Sequence, residues 1–336
     1  MRASKVRWSV AVLCLVTVVS GCGGPDLAKT TGQRTTVPAA EGLADPGATG
    51  TDPEPEGDGG PFADAALRRI NPCELMTSEI LSEFGTPARS RLRDFALCSN
   101  YMKDPSGKEL HFTLTIGETS TARNPEGDLK INGLPVAQSE LDDKSACFVT
   151  AITATDPNRG ISVQTGSDVP GGLCEPGRRL VELAVRKIAE DKPQLQVRKG
   201  TLVDIEPCTF LDDDVIAAAV GSGASKRPID LHGCAYNASG VSLRVEFSVG
   251  TDPDKLATAA KTTPVDLGGV TAQQRAETTS SARCSLDWAH LPFEGAEGDS
   301  EVVSVDYTRY KAESGEDPCA KALDVAKAVV GLLPAK

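Results

Sequence analysis

Two stretches of the chain alternate apolar and polar residues with the period of a half-buried strand. They are His111-Phe-Thr-Leu-Thr-Ile116 and Val241-Ser-Leu-Arg-Val-Glu-Phe-Ser-Val249. A period of two turns one set of side chains to a core and the other to solvent. Two further strand pairs follow: 146–152 with 160–164, and 283–288 with 302–307. Between the first strands and these pairs, 133–138 and 268–273 contain glycine and read as loops. Helical spacing appears at the ends. Leu180, Val181, Ala184, Val185 and Ile188 form one apolar stripe, and Leu323, Ala326, Val330 and Leu333 another. Shorter helices are predicted over 78–84 and 213–220, with Thr77 and Asp212 as N-caps and Gly85 and Gly221 as stops. Asp317-Pro318 is a further helix start, since proline suits the first helical position.

The order is therefore helix, four or five antiparallel strands, helix, and it occurs twice. The cysteines repeat with it. Cys73, Cys98, Cys147 and Cys174 are spaced 25, 49 and 27 apart, and Cys208, Cys234, Cys284 and Cys319 are spaced 26, 50 and 35 apart. Two tandem α+β domains are predicted, over 66–192 and 196–336. Each has an antiparallel sheet of about four or five strands, with a short N-terminal helix and a C-terminal amphipathic helix packed on one face. The polar stretch 191–203 carries Pro193 and Gly200 and reads as a hinge, so each half is expected to fold by itself. Only 4% of residues are aromatic, so aliphatic side chains must fill the cores and disulfides would supplement them. Four cysteines allow three pairings. The shortest loops favour Cys73–Cys98, Cys147–Cys174, Cys208–Cys234 and Cys284–Cys319, since short loops close at least entropic cost.

The N-terminus changes the setting. Residues 1–21 combine Arg2, Lys5 and Arg7 with an apolar run from Trp8 to Val19, too short to span a bilayer. The run ends in Val19-Ser20-Gly21-Cys22, which resembles a bacterial lipobox. Cleavage before Cys22 and diacylglyceryl attachment to its thiol are expected, giving a membrane anchor of two acyl chains such as palmitate. Residues 22–65 are rich in Gly, Pro, Thr, Asp and Glu and read as a disordered tether. Thr30, Thr31, Thr35, Thr36, Thr49 and Thr51 are candidate glycosylation sites within it.

Pro-Cys at each domain start, a strand cysteine about 25 residues on, a later strand cysteine and a cysteine-opened last helix together resemble a known group. They are similar to small actinobacterial exported lipoproteins carrying a domain of unknown function, here in two copies over about 68–336. The resemblance implies the fold and a location on the outer face of the cytoplasmic membrane. It implies no catalytic residues, cofactor or metal. The doubling departs from the usual single copy, as does the acidic insertion 292–300.

Little else carries chemistry. His111 falls on the polar side of its strand and reads as exposed surface. His232 precedes a disulfide cysteine, and His290 reads as structural. No H-E-x-x-H, G-x-S-x-G or Walker pattern occurs. No C-x₂₋₄-C pair marks a zinc site, and bonded cysteines are neither nucleophiles nor ligands. Asp212-Asp213-Asp214 suits the positive end of a helix, and Asn237-Ala238-Ser239 fits a short glycosylation pattern. The formal net charge is −12, and loss of 1–21 removes three basic residues and no acid. Nucleic acid is thereby excluded as a partner. The expected function is a membrane-tethered, non-enzymatic binding or interaction module for a protein or small molecule. The alternatives are an envelope enzyme with a dispersed acid/base pair, and an accessory of a transport or sensing system.

Overall fold

The structure is a computed structural model and describes residues 60–119, 129–293, 295, 299–312 and 317–336. Contacts divide the chain into Met1–Gly50, none of which is described, and Thr51–Lys336, which holds both repeats. The export segment, Cys22 and the tether threonines lie outside the described residues.

Repeat one opens with helix α1 (Asp64–Leu67), a 3-10 turn (Pro72–Leu75) and α2 (Ser78–Leu81), which tightens into a second 3-10 turn (Ser82–Phe84). Thr77 Oγ1 accepts from Ile80 N at 3.4 Å, the cap its sequence predicts. Gly85 ends the segment at φ 142°, where a Cβ would lie 2.1 Å from Lys103 O. No other residue fits there. Seven strands follow: β1 (Arg91–Asp94), β2 (Leu97–Lys103), β3 (Glu109–Thr119), β4 (Lys130–Ile131), β5 (Leu134–Glu140), β6 (Ala146–Thr155) and β7 (Asn158–Gly166). They form one antiparallel sheet in the order β1-β2-β3-β7-β6-β5-β4. Helix α3 (Cys174–Glu190) lies on β6 and β7 with its predicted stripe fully buried.

Repeat two has α4 (Pro207–Phe210), α5 (Asp213–Val220), β8 (Ser225–Pro228), β9 (Gly233–Ala238), β10 (Val241–Thr251) and α6 (Pro253–Ala260). Then come β11 (Thr263–Asp266), β12 (Thr271–Thr278), β13 (Ala282–Pro292), β14 (Asp299–Arg309) and α7 (Pro318–Leu332). Its sheet runs β8-β9-β10-β14-β13-β12-β11, the same topology strand for strand. Asp317 caps α7 by accepting from Cys319 N at 2.9 Å and Ala320 N at 3.2 Å.

Several expectations are corrected. Each sheet has seven strands, where the sequence pattern predicts four or five. The additional strands are short edge strands, or β5 and β12, which occupy much of the stretches read as loops. Arg91-Leu-Arg-Asp94 and Ser225-Lys-Arg-Pro228 are polar, and β11 carries Pro264. Such residues suit sheet edges, where no neighbour demands apolar alternation. The buried stripe of α7 is Ala322, Val325, Ala326 and Val329, rotated from the predicted one; Leu323, Val330 and Leu333 are half-buried at its margin. Asp212 occupies the N-cap position of α5, but its side chain caps nothing.

The hinge is also corrected. Leu195, Leu202 and Val203 are buried. Asn71 N donates to Pro193 O, and Leu195 N to Arg69 O, both at 2.8 Å. Buried Glu301 accepts from Thr201 Oγ1 at 2.5 Å and from Leu202 N at 2.8 Å. The connection is pinned along its length.

Each repeat also completes the other. The turn between β1 and β2 carries Phe95, and the turn between β8 and β9 carries Leu231. The two are 136 positions apart, the same offset as Cys98 and Cys234. Phe95, 0% exposed, belongs to the second repeat's core, 5.7 Å from the Phe293 ring. Leu231, 1% exposed, belongs to the first repeat's core. There Gly117 leaves its space, since a Cβ on Gly117 would lie 2.1 Å from Leu231 Cγ. Polar bonds cross with them: Arg68 Nε to Leu231 O at 3.0 Å, Thr119 Oγ1 to Ile229 O at 2.6 Å, and Val249 N to Asp94 Oδ1 at 2.8 Å. This reciprocity is the contact pattern of a two-fold dimer, here within one chain.

Candidate functional site

The cysteines are structural. Cys73 bonds Cys98, Cys147 bonds Cys174, Cys208 bonds Cys234 and Cys284 bonds Cys319. Each bond ties a terminal helix or turn to a strand: β2, β6, β9 and β13 respectively. Among the described residues, no three His, Cys, Asp or Glu side chains converge to hold a metal ion.

The histidines lie apart. His111 is half-buried on β3, its ring 5.0 Å from that of Tyr101. His290 is buried and bonds Gly200 O through Nε2 at 2.9 Å, a structural tie to the connection. His232 is sealed in the junction, 5.0 Å from the Phe95 ring, and neither ring nitrogen has a hydrogen-bond partner among the described residues. Burial, reinforced by the Arg68 charge, pushes its pKa down to about 3. Asp94 faces the same junction. Burial raises its pKa to about 6 against the hydrogen bonds from Val249 and Phe95 N–H, with help from Asp230 and Glu246. Burial also raises Asp230 and Glu246. Of these, Asp94 ties the repeats directly through Val249 N, while Asp230 accepts from His232 N within the second repeat. The Asp212-Asp213-Asp214 run is exposed, and Asp213 pairs with Lys226 at 2.7 Å. Asn237 lies near the end of β9.

An open groove of about 580 Å³ runs beside the connection, lined by Arg69, Arg198, Lys199, Asp204, Phe210 and Leu332 among others. Arg69 is paired with Asp204 across the repeats, and Thr201 in its wall is tied to Glu301.

The outer faces of the two sheets differ more. On the inner face of repeat one, Cys98, Phe112, Leu114, Cys147 and Val163 meet the helices and core. Alternation then puts Tyr101, His111, Thr113, Gln164 and Phe148 on the outer face. Pairing places them in two rows: Tyr101, His111, Gly166 and Ala146; then Ser99, Thr113, Gln164, Phe148 and Ser139. Tyr101 is 55% exposed, Phe148 38% and Leu141, just past β5, 44%. The repeats can be aligned through their disulfide cysteines and the residues paired opposite them. Thr113, Thr115, Ser139, Ala146, Thr150 and Gln164 then stand where the second sheet has Arg244, Glu246, Arg275, Arg283, Asp287 and Asp306. Phe148 stands where it has Ser285. In the second sheet Arg283 pairs with Asp306, and Arg275 lies 3.6 Å from Glu277. One outer face is an ordinary charged surface. The other is uncharged across its centre and carries exposed rings, in a chain of which 24% is charged. Sequence reading passed over this face. The signal was present in the polar positions of the two alternating strands: His, Thr, Thr in one, and Ser, Arg, Glu in the other.

Among solved structures, one from Bacteroides thetaiotaomicron is 13% identical over 35% of this chain and 43% of that chain, with a TM-score of 0.23. The match spans less than half of that protein. The di-domain ARO/CYC BexL from the BE-7585A biosynthetic pathway is 11% identical over 81% of this chain and 90% of its own, with a TM-score of 0.15. Neither score supports a shared fold. No curated protein matches the chain. A family model described as protein of unknown function, DUF3558, matches residues 17–187 and again 189–332. The chain belongs to the DUF3558 family and carries its domain in two tandem copies.

Proposed function

We propose that the protein is a non-enzymatic interaction module of the cell envelope, exported and held on the outer face of the cytoplasmic membrane by a lipidated Cys22. The observation that carries the interaction role is the uncharged, ring-bearing outer face of the first sheet. Charge depletion and exposed aromatics characterise surfaces that bind rather than surfaces that only dissolve. The space between each sheet and its last helix is filled by buried side chains of α3 and α7, which favours recognition on an outer surface. Asp94 and Asp230 are both engaged by backbone N–H groups, of Val249 and His232 respectively, which weighs against the acid/base alternative.

The test uses full-length protein with its anchor, cross-linked in native membranes through a photoreactive group placed beside Phe148. A face variant serves as the control: Thr113→Arg with Gln164→Asp. Thr113 and Gln164 are paired across β3 and β7 as Arg244 and Asp306 are across β10 and β14, so the variant installs a compensated charge pair without straining the sheet. The reading requires envelope adducts that the face variant abolishes. Identical adduct patterns in both proteins would sink it. Mass spectrometry of the N-terminal fragment tests the anchor: the first mature residue is Cys22 with diacylglycerol attached, and a Cys22→Ala protein takes up no fatty-acid probe.

A further inference from the structure

We propose that the first sheet's outer face binds a neutral polysaccharide chain laid across its strands. This rests on the interaction reading above and names its partner. Three features of the face select such a ligand.

The first is charge. Across β2, β3, β7, β6 and β5 the two rows carry no Asp, Glu, Lys or Arg. Ionic groups stand only at the margins, where Arg91 on edge strand β1 closes the second row and the Lys103–Glu109 pair, each satisfying the other, flanks the first, on a strongly acidic protein. A neutral ligand loses no ionic solvation on docking there. The second is the placement of the rings. Tyr101 on β2 and Phe148 on β6 are three strand steps apart, about 14 Å across the sheet, and one paired row apart, about 7 Å along it. Thr113 and Gln164 lie between them in register. The sequence across the face is ring, hydroxyl, amide, ring. A sugar chain presents the same alternation: the C–H face of a pyranose stacks on an aromatic ring, and hydroxyl groups exchange hydrogen bonds with hydroxyl and amide side chains. The third is size. Five strands, with about six residues of each, give a flat footprint of roughly 400 Å². That is half of the ~800 Å² each partner contributes to a standard protein interface. A protein hot spot also needs a contiguous apolar centre, and here the rings are separated by polar groups.

The second repeat provides the internal control. Its equivalent face has Ser285 at the Phe148 position, Asn237 at the Tyr101 position, and Arg244 with Asp306 between them. It lacks both rings and gains charge, so it does not take part.

The experiment is affinity electrophoresis of the full chain in mild detergent, through gels containing a neutral α-glucan, mannan or galactan, with polygalacturonate as the charged comparison. At least one neutral polysaccharide retards the protein, and polygalacturonate does not. Phe148→Ala and Tyr101→Ala each weaken the retarding interaction about tenfold, the upper range for one lost ring contact. Thr113→Arg with Gln164→Asp abolishes it, while the urea midpoint of that variant stays within error of the parent. Retardation by none of the neutral glycans overturns the proposal, and so does retardation that both ring variants leave unchanged. Phe148-dependent cross-linking to a protein, with no glycan retarding the chain, overturns the glycan and leaves the interaction reading standing. Loss of both cross-linking and retardation ends both.

Discussion

Truncating Phe95 should destabilise the repeat to which it does not belong by sequence. Its ring is fully buried in the second core, against Phe293 and His232. Phe95→Ala removes the ring's transfer energy and leaves a cavity with few flexible neighbours, a loss of about 3–5 kcal/mol. Whole-domain stabilities are ~5–15 kcal/mol, so the variant still folds with its disulfides intact. Urea unfolding of the oxidised chain gives the total loss, and hydrogen exchange with mass spectrometry gives its place. The largest gain in exchange should appear in β10 and β13 of repeat two and be smaller in β2 and β3, the strands nearest Phe95 in its own fold. Leu231→Ala is the mirror experiment. A loss of about 2–5 kcal/mol should appear as faster exchange in β3 and β7 of repeat one. If Phe95→Ala loosens only the strands of repeat one, or costs less than ~1 kcal/mol, the reciprocal-core account is wrong. The same logic makes separated halves poor folders, because each would expose an unfilled socket together with its own apolar turn.

Other outcomes follow from single contacts. Gly117→Ala puts a methyl group into the Leu231 side chain and costs about 1–3 kcal/mol; Leu231→Ala in the same chain recovers part of that, which a double-mutant cycle reads directly. Asp94, with its pKa raised to about 6, is protonated in the folded state before it is in the unfolded chain. Stability therefore falls as pH rises from about 4 through 6 on its account; Asp94→Asn, which still accepts from Val249 N, is more stable than the parent at pH 7 by ~1–2 kcal/mol after allowance for partial exposure. His232, held near 3, has the opposite sign. Between pH 6.5 and 3 the unfolded chain binds a proton that the fold refuses, so His232→Leu gains most below pH 6, which urea titration at pH 5 and 7 measures.

Much of the fold was legible because it is written in local periods. The α3 stripe, the Thr77 and Asp317 caps, the Gly85 and Gly221 stops and the long central strands all depend on neighbours within a few residues. The doubled cysteine spacing made the tandem plan readable as well. Edge strands escaped because their polarity is what an edge needs, and β5 escaped because Gly133 and Pro135 look like a turn. Helix α6 escaped although Asp252-Pro253 is the same start signal as Asp317-Pro318. The junction was not legible: nothing local distinguishes a turn phenylalanine that packs on its own sheet from one that fills another core. Nor was the candidate face, since a threonine in a strand looks equally at home on a solvated surface and on a binding one.

The junction and the face together give an account of why the chain has two copies. Reciprocal turns put one buried side chain of each repeat into the core of the other, so losing either copy would leave a gap in its neighbour. Within that constraint the buried positions have matching roles: both sheets have the same strand order, and all four disulfides pin the same elements. The divergence is on the outer faces, where fold stability asks little. The second face keeps compensated charges, which suit solubility and resist face-to-face association. The first gives up those charges and exposes rings, which by itself lowers solubility. A surface feature with that cost, present on one copy and absent from the other on the same scaffold, is what the proposed ligand of the first face accounts for: it would be bound by the first copy alone.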